Sequence, residues 1–141
     1  MQIKFTLDKG AYKPEKAHEA DAGYDLRAMK DEVLCSFRKG GAVFDTGVHI
    51  EIPRGYKGEV TGRSGLNIMR DIICPNGTID SGFTGSIRVK LYNLGCEDYK
   101  VHAGDKIAQL IIVPIADCEL IETDSLEETE RGSKGFGSTG R

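Results

Sequence analysis

Hydrophobic and polar residues alternate along this chain with a period of two far more often than with the period of a helix. From Ser86 to Leu91 the alternation is clean: Ile87, Val89 and Leu91 face one way, Arg88 and Lys90 the other. That is the pattern of a strand with one buried face. MQIKFTL predicts a short strand with Ile3, Phe5 and Leu7 on one side, and Val43 to Ile52 alternates more loosely, with Val48, Ile50 and Ile52 in phase. Ile107 to Val113 is a continuous apolar run broken only by Gln109, which suits a strand buried on both faces. SGLNIMRD is the one stretch that predicts a short helix. Glycine supplies 18 of the 141 residues, well above the usual ~7%, and its positions between the apolar runs supply turns. Many short strands with regular turns predict an all-β chain: sandwich, jelly roll or barrel.

The tail breaks this pattern. After Glu122 the sequence TDSLEETERGSKGFGSTGR is polar, charged and Gly-rich, with Leu126 and Phe136 its only large apolar residues. The chain therefore divides into a β domain over 1–122 and a flexible arm over 123–141. Phe136 sits between glycines near Arg131 and Lys134, a composition suited to closing over a base and its phosphates.

Length and charge narrow the function. A chain of 141 residues builds one domain with a core. Its net charge of −3 supplies no overall basic field for nucleic acid, so phosphate binding must rest on a local site. No stretch approaches the ~18 apolar residues of a membrane span, and the N-terminus lacks an apolar leader. Cys35, Cys74, Cys96 and Cys118 form no CxxC or Cys/His cluster, which argues against structural zinc. They are expected to be small apolar core residues in a reducing cytoplasm.

Five segments carry candidate chemistry. In ADAGYDL (20–26), Asp25 reads as a turn or surface acid, or as a carboxylate aimed at metal-bound water. In GRSGL (62–66), small residues open the short helix, whose N-terminus offers free N–H groups to an anion, with Ser64 and Arg63 beside it; a simple N-cap also explains Ser64. In NGTIDSGFTGSI (76–87), NG and SG are turn dipeptides. A hairpin there would present backbone groups to a planar base, with Asp80 a candidate general base and Phe83 a platform for a sugar; an ordinary Gly-rich hairpin fits equally. In GDKIAQLIIVP (104–114), Gln109 needs a partner, from backbone or ligand. RGSKGFGSTG (131–140) lacks the GxxxxGK[ST] order between strand and helix that a phosphate-binding P-loop requires.

Taken in this order, the five segments resemble the motifs of the trimeric dUTP pyrophosphatase family over residues ~20 to 140. The resemblance implies a jelly-roll-like β-barrel that forms a homotrimer, each active site drawing on all three subunits. It implies Mg²⁺-assisted hydrolysis of dUTP to dUMP and pyrophosphate, which limits uracil incorporation into DNA and supplies dUMP for thymidylate synthesis. By the same resemblance, Asp25 holds water on the Mg²⁺, and Arg63, Ser64, Gly65 and Gln109 bind phosphate. Asn76, Gly77, Thr78 and Ile79 line the uracil pocket, Asp80 activates the attacking water, and Phe83 packs under the deoxyribose where the family usually has Tyr. In the arm, Arg131 meets the terminal phosphate, Phe136 and Gly137 cover uracil, and Ser138 and Thr139 contact phosphate. Two alternatives share the fold. A dCTP deaminase uses a Glu in the third segment, where Asp80 stands here. A nucleotide-controlled binding protein would keep the pocket and act through a partner.

Overall fold

A computed structural model describes residues 1–36, 40–133 and 135 of the chain. Eleven strands and one helix follow in the order β1 (Lys4–Leu7), β2 (Tyr24–Arg27), β3 (Glu32–Leu34), β4 (Ala42–Asp45), β5 (Val48–Glu51), β6 (Tyr56–Thr61), α1 (Ser64–Arg70), β7 (Ile72–Ile73), β8 (Gly77–Ile79), β9 (Arg88–Asn93), β10 (Tyr99–Val101) and β11 (Lys106–Pro114). The all-β expectation holds. The strands form a four-stranded sheet in the order β2-β11-β6-β8, a three-stranded sheet β4-β9-β7, and two-stranded ribbons β1-β5 and β10-β3. Among the described residues these ladders do not join into one closed barrel. All the described pairings are antiparallel, so a one-residue slip would turn each strand's apolar set outward.

One core binds the sheets together. Leu26 comes from β2, Leu34 from β3, Phe44 from β4, Val60 from β6, Ile72 from β7, Val89 and Leu91 from β9, Val101 from β10, and Ile107, Ala108 and Leu110 from β11. Each fully buried Leu or Ile contributes about 1.5–3 kcal/mol through apolar surface removed from water. The alternation in β9 is as expected, with Val89 and Leu91 inward and Arg88 exposed. In β11 the two-sided burial holds for the first half, whereas Ile111 to Val113 are half-buried. In β1 every residue is exposed; Phe5 faces an apolar groove shared with Ile3, Tyr24 and Ile112 instead of the core. The cysteines depart from expectation. Cys35 and Cys74 are half-buried, Cys96 and Cys118 exposed, and all four are free thiols. Each lies outside the strands, whereas the core is filled from strand interiors.

The turn between β4 and β5 is tight. Gly47 has φ 62°, and a Cβ there would lie 2.6 Å from Met29 Sδ and 2.7 Å from Ala11 Cβ, so only glycine fits. From Ile115 to Ser133 the described residues form no strand or helix and are exposed. Among the described residues no helix is long and apolar enough to cross a membrane.

Candidate active site

The polar end of the four-stranded sheet gathers three of the five segments. In β2, Tyr24 and Leu26 share one face, so Asp25 and Arg27 share the other. Asp25 pairs in register with Gln109 of β11, and Gln109 pairs on its other side with Thr61 at the end of β6. The register shift between Lys106 and Ala108 brings Lys106 opposite Arg27. A row Asp25–Gln109–Thr61 therefore crosses three strands, with α1 opening just beyond Thr61.

Asp25 is a buried carboxylate, 3% exposed. Two cations offset the cost of removing it from water: Lys106 Nζ lies 2.7 Å from Oδ2 and Arg63 Nε 3.1 Å from Oδ1. The Arg63 contact is an ion pair without hydrogen-bond alignment, and Oδ1 is left without a hydrogen-bond donor. The ion pair offsets its charge but leaves its lone pairs without an aligned donor, so it can accept one from a ligand or a water. Lys106 was not foreseen as a member of the site. Its signal was the dipeptide DK directly before the Gln109 run, which pairs with the strand that holds Asp25.

Arg63 stands at the cap of α1 with extended backbone (φ −96°, ψ 132°) and makes no side-chain capping bond. Ser64 is the first helical residue and does not cap the helix. The first bond inside the helix runs from Asn67 N–H to Arg63 O, 3.0 Å, so the amides of Ser64, Gly65 and Leu66 precede it, as the first turn of any helix requires. A Cβ at Gly65 would meet nothing within 4 Å, so the start of the helix is open on that side. The hollow there, about 300 Å³, is lined by Arg63, Ser64, Gly65, Arg70, Tyr99 and Gln109. Arg27 and Lys106 line the adjoining one. A chain of net charge −3 thus concentrates four cations at one end of one sheet, two of them paired with Asp25, an arrangement suited to an anion.

The third segment starts beside this end, where Asn76 lines a hollow with Thr61, Arg63 and Ser64, and runs away from it. β8 pairs with β6, Gly77 opposite Val60 and Ile79 opposite Gly58. The expected hairpin is not present: β8 has β6 as its partner, and the chain leaves it for β9 in another sheet. Asn76-Gly77 is not a turn either. Gly77 enters β8 directly, because Val60 already provides its cross-strand neighbour. Ser81-Gly82 does turn, closed by Phe83 N–H on Asp80 O at 3.1 Å, with Gly82 at φ 88°. Asp80 and Phe83 are exposed on this turn, Phe83 by 44%. Asp80 follows Ile79 and so is level with Lys57, four residues along β6 from Thr61. At ~3.3 Å per residue that separates it from the Asp25–Gln109 row by about 13 Å.

Asn76 Nδ2 donates to Glu59 Oε1 at 3.4 Å. Thr78 is exposed, and Gly77 and Ile79 half-buried. Arg131 is exposed in the tail. Phe136, Gly137, Ser138 and Thr139 lie outside the described residues.

No group of three or more His, Cys, Asp or Glu side chains among the described residues could hold a metal ion. Asp25 is one carboxylate whose Oδ1 has the Arg63 ion pair but no aligned hydrogen-bond donor, which leaves it able to accept from metal-bound water. Magnesium keeps several waters and takes the rest of its shell from substrate phosphates, so this donor set suits an ion that arrives with a triphosphate.

The dUTPase family pattern matches residues 10–140. The deoxyuridine 5'-triphosphate nucleotidohydrolase of Clostridium acetobutylicum is 41% identical over 144 residues, covering 99% of this chain and 96% of that protein. A mutant dUTPase of Staphylococcus bacteriophage 80alpha, solved with dUpNHpp, superposes with a TM-score of 0.89 at 32% identity over 99% of both chains. A mutant dUTPase from phage phi11 of S. aureus, whose structure reveals the coordination of a structural Mg(II) ion, superposes with a TM-score of 0.83 at 29% identity over 91% of this chain and all of that one.

Proposed function

The chain belongs to the dUTPase family and is a dUTP diphosphatase, and we propose that it works as a homotrimer whose active sites are each assembled from several copies. One observation carries the assembly. A general base must lie within one water of the atom attacked, yet Asp80 is about 13 Å along the sheet from the phosphate-facing row of its own chain. A second copy that places its Asp80 turn against the first copy's α1 and Gln109 removes that gap. A third copy lends its arm, residues 123–141.

In this reading the amides of Ser64 and Gly65, with Arg63 and Gln109, bind the triphosphate oxygens. Backbone groups from Asn76 to Ile79 meet the uracil edge. A base with the wrong donor pattern would leave them unpaired, at about 1–3 kcal/mol each. Phe83 packs under the deoxyribose and leaves no room for a 2′-hydroxyl. Asp80 accepts a proton from water as its oxygen attacks the α-phosphorus. The bond from that phosphorus to the α,β-bridging oxygen breaks, and pyrophosphate leaves. Asp25 would hold a Mg²⁺ ion through water, and that ion would offset triphosphate charge. Arg131, Phe136, Gly137, Ser138 and Thr139 close the site from the arm, Arg131 on the terminal phosphate and Phe136 over the base.

Pyrophosphate release measured across the common nucleoside triphosphates, with and without Mg²⁺, tests the specificity. Fast release from dUTP alone, lost on chelation, is the expected result. Equal release from UTP would remove the role given to Phe83, and ammonia release from dCTP would point to a deaminase.

A further inference from the structure

The return path of the Asp80–Ile87 loop is held by the turn between β4 and β5. Asp45 accepts hydrogen bonds from Ser86 Oγ and, at 3.0 Å, from Gly47 N–H. Thr46 Oγ1 donates to Ile87 O at 2.7 Å, and Ile87 N–H donates to Val48 O at 2.9 Å. These bonds fix Ser86 and Ile87. Thr84, the residue after Phe83, is held by a side chain: His49 Nδ1 lies 2.8 Å from the Thr84 carbonyl oxygen. The other ring nitrogen, Nε2, lies 3.2 Å from Asp8 Oδ1. Asp8 is itself fixed to the same turn by its N–H on Gly47 O, 2.9 Å.

A carbonyl oxygen and a carboxylate only accept. A neutral imidazole has one N–H and can satisfy one of them, leaving a lone pair against the other; the imidazolium satisfies both. We propose that His49 is a positioning residue for dUTP hydrolysis: its imidazolium straps the Thr84 carbonyl to Asp8 and thereby sets where Phe83 and Asp80 stand against the substrate. The role rests on the reading of Asp80 and Phe83 given above.

The charges around the ring agree. The Thr84 carbonyl and then the Asp8 carboxylate hold the imidazole above its usual value, against partial desolvation, and Asp45 adds to the negative field. Arg88 faces Asp45 at 3.9 Å, and Lys4 and Glu51, opposite each other two rungs along β1 and β5 from His49, pair at 3.8 Å. A raised folded-state pKa fixes the sign. The strap is complete below the ordinary histidine value of 6.5 and is lost as pH rises through the higher folded value.

The test combines NMR with steady-state kinetics from about pH 6 to about pH 9 on the full chain, His49→Gln and Asp8→Asn. The amides of Ser81 to Gly85 are expected to titrate with the same midpoint as the His49 ring, and KM for dUTP to rise roughly threefold to tenfold through it. Asp8→Asn is expected to move both midpoints to lower pH, and His49→Gln to flatten the KM profile. Loop amides that ignore the His49 titration, or a His49→Gln profile that follows the native one, would overturn the proposal. A fully active Asp80→Asn would instead defeat the catalytic reading, with the loop amides still deciding the strap.

Discussion

In the proposed reading, the two ends of the four-stranded sheet meet one substrate in opposite ways. At the phosphate end, Asp25 is buried and ion-paired to Arg63 and Lys106, and Gln109 is locked between two strands. That end is built before any ligand arrives. At the base-and-water end, Asp80 and Phe83 stand exposed on a Ser-Gly turn, supported from behind by the β4–β5 turn. Asp25 and Lys106 are placed in strands, where register fixes them, and Arg63 at the cap of α1. The groups that the proposed trimer would set against a neighbouring copy are left at the surface.

The largest break in this contrast is at Asp80. Asp80→Asn keeps size and polarity and removes the base, so turnover should fall roughly a hundredfold to ten-thousandfold. Binding of a non-hydrolysable dUTP analogue should stay within a few-fold, since the carboxylate supports attack and contributes little to affinity. Calorimetric titration of the analogue, together with single-turnover rates, separates the two.

At the other end the expected cost is in stability. Asp25→Asn leaves Arg63 and Lys106 beside a neutral amide. Both cations reach solvent, so the loss should be about 1–2 kcal/mol and not the full cost of a stranded buried charge. Urea denaturation reads it, and an unchanged midpoint would mean that Asp25 is not a structural anchor. The smallest effect is predicted for Gly82→Ala. At φ 88° a Cβ strains the turn by roughly 1 kcal/mol, and KM for dUTP should rise because Phe83 follows that turn directly. An unchanged KM would mean that the turn adapts and does not set the position of Phe83.

Where one face of a strand is buried, the sequence showed it. Ile87, Val89 and Leu91 alternate because solvent and core alternate. The short helix at Ser64 was legible from its small residues, and Gln109 stood out because a polar residue in an apolar run needs a reason. Long-range register was not legible. Nothing local says that Asp25 meets Lys106, or that Gly77 finds its neighbour in Val60 and so extends the sheet where the dipeptide Asn76-Gly77 suggested a turn. The cysteines misled for a related reason: their apolar character says nothing of whether a strand carries them inward. His49 went unnoticed because its partners, Asp8 and the Thr84 carbonyl, come from distant segments and carry no shared pattern.

The central claim is that Asp80 of one copy serves the phosphate site of another. Asp80→Asn and Gly65→Glu each disable one end. The glutamate enters open space and sets a negative charge where phosphate binds. Purified separately, each should be nearly inactive. Unfolded and refolded together in equal amounts, random trimers should recover roughly a quarter of native activity, since one ordered pair of neighbours in four joins an intact Asp80 to an intact Gly65. A mixture no more active than its two parents would contradict the account.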